Sequence, residues 1–151
     1  MKNKSSIQTA LKTITEMEKL LIASGATNIS KTASDGKVTG FYFELMVNSR
    51  PMVFKVPVDP IGAQRIFEKK IKRPRKTTLN RIVEQAERTA WKCWYDLIAA
   101  QLAIIEMNQA MAVQVFLPWA FDGERTLFEK LQDGGFKQLN APQGAKDGAD
   151  V

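Results

Sequence analysis

A chain of 151 residues with 44% apolar and 25% charged residues is long enough to bury a core of its own without disulfides or a structural metal. Its single cysteine rules out an intramolecular disulfide, and the absence of histidine removes cysteine–histidine zinc sites and histidine-based triads together. The net charge of +6 is no greater than that of one short segment, residues 69 to 76, so the rest of the chain is formally balanced.

From Ser6 onward, Ile7, Ala10, Leu11, Ile14, Met17, Leu20 and Leu21 recur at spacings of three and four. This predicts an amphipathic helix over about residues 6 to 24, capped by Ser5 or Ser6 and ended at Gly25. No run of 18 apolar residues exists, and the N-terminus reads as amphipathic rather than as a secretory leader, so a cytoplasmic protein with no membrane contact is expected.

The period then changes to two. "ATNISKTAS" reads as a polar strand and Asp35-Gly36 as a hairpin turn, while "KVTGFYFELMV" places Phe41, Phe43, Leu45 and Val47 on one face. Asn48-Ser49 turns again into "PMVFKVPV", where Met52, Phe54 and Val56 alternate. The expectation is a three-stranded antiparallel meander with one apolar face that a helix must cover.

Asp59-Pro60 starts a second helix whose apolar side is Ile61, Ile66, Phe67 and Ile71, interrupted by Pro74. Thr77 or Thr78 caps a third, from Leu79 to about Met107, with Leu79, Ile82, Val83, Ala86, Ala90, Cys93, Leu97 and Ile104 as its core stripe. On that stripe Cys93 is a small buried hydrophobe and Leu97→Asp would be severely destabilising. At ~1.5 Å per residue this helix is on the order of 40 Å long, more than a small sheet covers. Helix one, the aromatic segment behind it or a second subunit would have to cover the remainder.

"VQVFLPWAFDGE" is expected to be extended, because Pro118 disfavours helical dihedrals at Leu117, and a short helix should occupy Glu124 to Gln132. From Asp133 the composition turns to glycine, alanine and small polar residues, the pattern of a disordered tail. The fold class is therefore α+β: one domain over residues 1 to 132, in which an N-terminal helix and a three-stranded meander precede two or more helices, one of them long, and a tail over 133 to 151.

Three groups of residues bear on function. Lys69, Lys70, Lys72, Arg73, Arg75 and Lys76, six cations in eight residues with no acid, form a surface suited to phosphates. Trp91 and Tyr95 are candidates for stacking nucleic-acid bases, with Trp94 placed toward the core. Phe116, Leu117, Trp119 and Phe121 surround Pro118 as docking anchors for a partner do, or else fold back over the long helix. Gln101 is a candidate for fixing helix register through hydrogen bonds. Carboxylates do not converge: Glu84, Glu87 and Asp96 are spread around a helix among cations and read as ion-pair partners. No catalytic site, metal site or cofactor is expected.

The stretch "AERTAWKCWYDLIAAQLAIIEMNQAMAVQVFLPW", residues 86 to 119, resembles small bacteriophage and prophage proteins in which an alanine-rich, tryptophan-bearing helix is followed by an "IE" dipeptide and a "VFLP" segment. A weaker similarity covers Gly25 to Phe43. The resemblance implies a mobile-element origin and no particular activity. At fold level, helix, meander and helix look like double-stranded-RNA-binding domains and the core of phage single-strand-annealing proteins. The function expected is that of a phage-type accessory protein binding single-stranded DNA or RNA largely without sequence specificity. The alternative is a protein-binding accessory factor, such as an inhibitor of a host enzyme or defence system, whose basic segment meets an acidic partner. A homo-oligomer is compatible with both.

Overall fold

The computed structural model describes residues 2 to 69 and 75 to 142, the side chains of residues 2 to 8 and of Thr77 excepted. Helix α1 spans Lys2–Ala23. It runs through Ser5 and Ser6, so neither serine stands at the cap position. Ala10, Ile14, Met17 and Leu21 are buried on one side, whereas Leu11 is exposed. Gly25 ends the helix at φ +104°, where a side chain would be strained. The Ala26 N–H donates to the Leu21 carbonyl at 2.9 Å and the Gly25 N–H to that of Ile22 at 3.1 Å, the paired bonds of a Schellman motif.

Strands β1 (Asn28–Ser34), β2 (Lys37–Val47) and β3 (Arg50–Val56) form the expected antiparallel meander in the order β1-β2-β3. Both connections are two-residue turns with positive φ at each central position, Asp35 and Gly36 in the first and Asn48 and Ser49 in the second. That backbone twist matches the twist of the strands it joins. Ile29, Phe43 and Phe54 lie opposite one another across the three strands, and Phe41 pairs with Val56. Phe41, Phe43, Leu45, Phe54 and Val56 all face the core beneath the helices.

Helix α2 covers Pro60–Lys69, and Asp59 Oδ1 accepts the Gly62 N–H at 3.1 Å to cap it. Its apolar side is only partly used: Ile61 and Ile66 are exposed, Phe67 is half-buried, and Ile71 lies outside the described residues. Helix α3 covers Lys76–Glu106, 31 residues or roughly 46 Å at ~1.5 Å each. Its cap residue is Arg75, so the helix begins before Thr77 and Thr78 and neither threonine caps it. Antiparallel α2 packs along its first half, as Ile61 and Gln64 line a groove with Val83 and Glu87; α1 and the sheet cover the second half. Asn108, at φ +59°, terminates it with a second Schellman pair, Gln109 to Ile104 and Asn108 to Ile105.

The core stripe of α3 differs from expectation by one residue in its second half. Ile82, Ala86, Ala90, Trp91, Ile98 and Leu102 are buried, with Trp94, Tyr95 and Ile105 packed beside them. Cys93, Leu97 and Ile104 are exposed instead. The thiol is therefore a surface group and not a core hydrophobe.

Residues 112 to 119 are helical rather than extended: α4 spans Ala112–Phe116 and a 3-10 turn spans Leu117–Trp119. Pro118 stands in the first turn of that 3-10 segment, where its missing N–H forfeits no bond, and Leu117 keeps helical dihedrals of −51° and −43°. Only then does the chain extend, Ala120 bridging Phe54 and the Phe121 N–H donating to the Val53 carbonyl at 2.9 Å. Helix α5, Leu127–Asp133, is set by a capping box between Thr126 and Glu129. Described structure continues past Asp133 through a 3-10 turn at Lys137–Leu139, with Phe136 against Phe128 at 5.7 Å. Of the expected tail, residues 143 to 151 lie outside the described residues.

Candidate functional site

The α2–α3 hairpin concentrates positive charge. Residues 60 to 87 carry eight cations and three acids. Lys69 is the last residue of α2, Arg75 the cap of α3 and Lys76 its first residue, and all three are exposed. Lys70, Lys72 and Arg73 lie outside the described residues. Glu68 accepts a bond from Gln64 at 2.8 Å, and nearly buried Glu87 pairs with Lys37 at 3.5 Å. Among the described residues no ion pair holds Lys69, Arg75 or Lys76. The first turn of α3 contains no acid and the Arg75 side chain makes no cap bond, so the helix dipole adds to the local positive potential. The charge was visible as composition; the uncapped helix start beside it was hidden, because Thr77 and Thr78 read as caps.

The aromatic residues of α3 do not join this surface. Trp91 is fully buried, with its ring edge-on to Phe41 at 6.4 Å, and cannot present a face to a base; the stacking assignment fails for it. Its Nε1 has no hydrogen-bond partner among the described residues. Tyr95 is half-buried against the core, and Lys92 Nζ lies 4.9 Å from its ring centroid. That lysine also bonds Asp96 at 2.9 Å, and this bond raises its pKa above the ordinary lysine value. Along α3, Trp91 and Tyr95 are roughly 22 and 28 Å from Lys76 at ~1.5 Å per residue. Gln101 Oε1 is buried without a partner among the described residues, so it does not supply the register bond expected of it.

The segment around Pro118 is largely folded into the body. Phe116 is fully buried among Phe43 at 5.2 Å, Trp119 at 5.4 Å and Phe54 at 5.8 Å, so it is a core residue and not a docking anchor. Trp119 also packs on Trp94 at 5.3 Å. Leu117 alone of the four is mainly outward, at 42% exposure. Phe121 reaches the sheet face opposite the core, beside Tyr42 at 5.2 Å.

The loop that brings Phe121 there is held by Asp122. One of its oxygens accepts the Arg125 and Glu124 N–H groups at 2.9 and 2.8 Å, and the other pairs with Lys130 at 2.6 Å. These bonds hold its carboxyl well below the usual carboxylate range, the Arg125 N–H contributing most. Because the folded value is depressed, the stabilisation is complete above the unfolded value of about 4 and is lost progressively as pH falls below it. The melting temperatures of the wild type and Asp122→Asn should therefore differ most near neutrality and converge in acid. A gap that stayed constant down to strongly acidic pH would show that the carboxylate is not the fastening group.

No family model, curated protein or solved structure matches the chain. Among the described residues no helix is long and apolar enough to cross a membrane, and no group of three or more acids or cysteines could hold a metal ion.

Proposed function

We propose that this protein is a mobile-element accessory factor that binds nucleic acid through its phosphates, largely without sequence preference, at the connecting end of the α2–α3 hairpin. The observation that carries this reading is the exposed, acid-free cluster of Lys69, Arg75 and Lys76 at an uncapped helix start. Lys70, Lys72 and Arg73 belong to the same segment by sequence and complete six possible phosphate contacts. Such contacts release condensed counterions, so affinity for a single strand should fall with salt at a log–log slope of at most roughly −4 for six contacts.

Fluorescence anisotropy with labelled oligonucleotides at several salt concentrations tests this. Replacing Lys69, Lys70, Lys72 and Arg73 together by glutamine should weaken binding to every sequence alike and flatten the slope by about 0.7 per lost contact. Absence of binding at low salt, where the attraction is strongest, would refute the reading. The alternative would then lead: a protein-binding accessory factor, supported by the exposed apolar residues Leu97 and Ile104 on the solvent side of α3 and Met107 at its C-cap.

A further inference from the structure

The face of the sheet turned away from the helices carries a second cluster. Ser30, Tyr42 and Lys55 lie directly opposite one another across β1, β2 and β3, so their side chains form one row on that face. Gly40, two residues before Tyr42, makes room for two side chains: a Cβ there would stand 2.4 Å from Thr32 Oγ1, 3.2 Å from Tyr42 Cε2 and 3.4 Å from the tyrosine hydroxyl, so the ring leans along the strand over the glycine. Phe121 arrives from the Asp122 loop and sets its ring 5.2 Å from that of Tyr42, tilted by 51°. Lys55 Nζ lies 5.9 and 5.8 Å from the two ring centroids. Ser30, Tyr42, Val53, Phe121, Asp122 and Gly123 line an open groove of about 450 Å³.

We infer that this groove is a stacking platform for bases of single-stranded nucleic acid, with Tyr42 and Phe121 offering ring surface and Lys55 its ammonium to the adjoining phosphate. Charge complementarity selects this occupant. Lys55 forms no ion pair among the described residues, so no carboxylate neutralises the charge it holds beside the two rings. The acid that lines the groove, Asp122, is engaged by Lys130 and two backbone N–H groups and does not oppose a phosphate as a free carboxylate would. Aromatic rings next to a cation on an open sheet suit an unpaired base, since every base has a flat face to stack. A base inside a duplex has both faces occupied by its neighbours. The platform therefore gives the phosphate-binding reading, on which it rests, a preference for single strands.

The test uses the full chain and two labelled probes, oligothymidine and a length-matched abasic strand with the same phosphates. Oligothymidine should bind about tenfold or more tightly. Tyr42→Leu should abolish that difference while leaving abasic binding and the salt slope unchanged, because stacking releases few ions. Since a half-buried tyrosine also supports the fold, ultraviolet crosslinking of wild-type protein to bromouridine-substituted strands gives an independent readout, with adducts expected in the peptides bearing Tyr42 or Phe121. Equal affinity for the two probes, a thymidine preference that survives Tyr42→Leu, or adducts confined to other peptides would overturn the platform. The two proposals fail separately. If the glutamine variant of residues 69 to 73 binds as wild type does while Tyr42→Leu loses the base preference, the hairpin reading falls and the platform stands; if neither probe binds wild type, both fall.

Discussion

Ile98→Asp should unfold the protein or cost at least about 4 kcal/mol, whereas Leu97→Asp, one residue earlier in the same helix, should cost less than about 1 kcal/mol. Ile98 is fully buried within the cluster that joins Trp91 and Leu102 to the sheet, so a carboxylate there would be desolvated without a partner. Leu97 is 44% exposed and its replacement reaches water. Both sites are interior to α3, and aspartate forfeits slightly more helix propensity in place of leucine than of isoleucine, so a larger cost at Ile98 reports burial. Urea or thermal melts of the two variants check it; equal destabilisation, or the reverse order, would place the core on the other side of the helix.

The one-residue difference explains what periodicity conveys and what it omits. Along α3 and its C-cap the positions 93, 97, 100, 104 and 107 are apolar at spacings of four and three, and so are 91, 94, 98, 102 and 105. Either set satisfies the helical pattern, and each residue advances the wheel by about 100°. The choice depends on which set meets a complementary surface, and the inner face of the meander meets Trp91, whose edge lies against Phe41. The hairpins were readable because two independent signals coincide there: alternation in the strands and turn residues able to take positive φ, Asp35-Gly36 and Asn48-Ser49.

The functional residues divide in the same manner. A run of cations is local in sequence and needs no fold to be noticed. The row of Ser30, Tyr42 and Lys55 comes from three strands, and Phe121 joins it only because the Asp122 loop carries the chain to the edge of β3. One signal was available: Tyr42 occupies an outward position of "GFYFEL", where alternation calls for a polar residue. Tyrosine is also a common strand former, and that ordinary role concealed it.

Phe116→Ala should cost about 3–5 kcal/mol, the usual range for removing a buried phenylalanine ring. The ring is fully enclosed between Phe43 and Phe54 of the sheet and Trp119 of the following turn, so its removal leaves a cavity walled by large side chains that cannot all collapse into it. Leu117→Ala, on the outward side of the same turn, should cost less than about 1 kcal/mol. The loss should also loosen what Phe116 anchors: the bond from the Phe121 N–H to the Val53 carbonyl should exchange its hydrogen faster relative to the β1–β2 ladder. Thermal melts and hydrogen exchange of both variants measure this. If Phe116→Ala melts as the wild type does, the segment around Pro118 is an appended arm and becomes available to a protein partner. If it is destabilised as expected while Leu117→Ala is not, these aromatics hold the C-terminal segment on the sheet and keep Phe121 beside Tyr42.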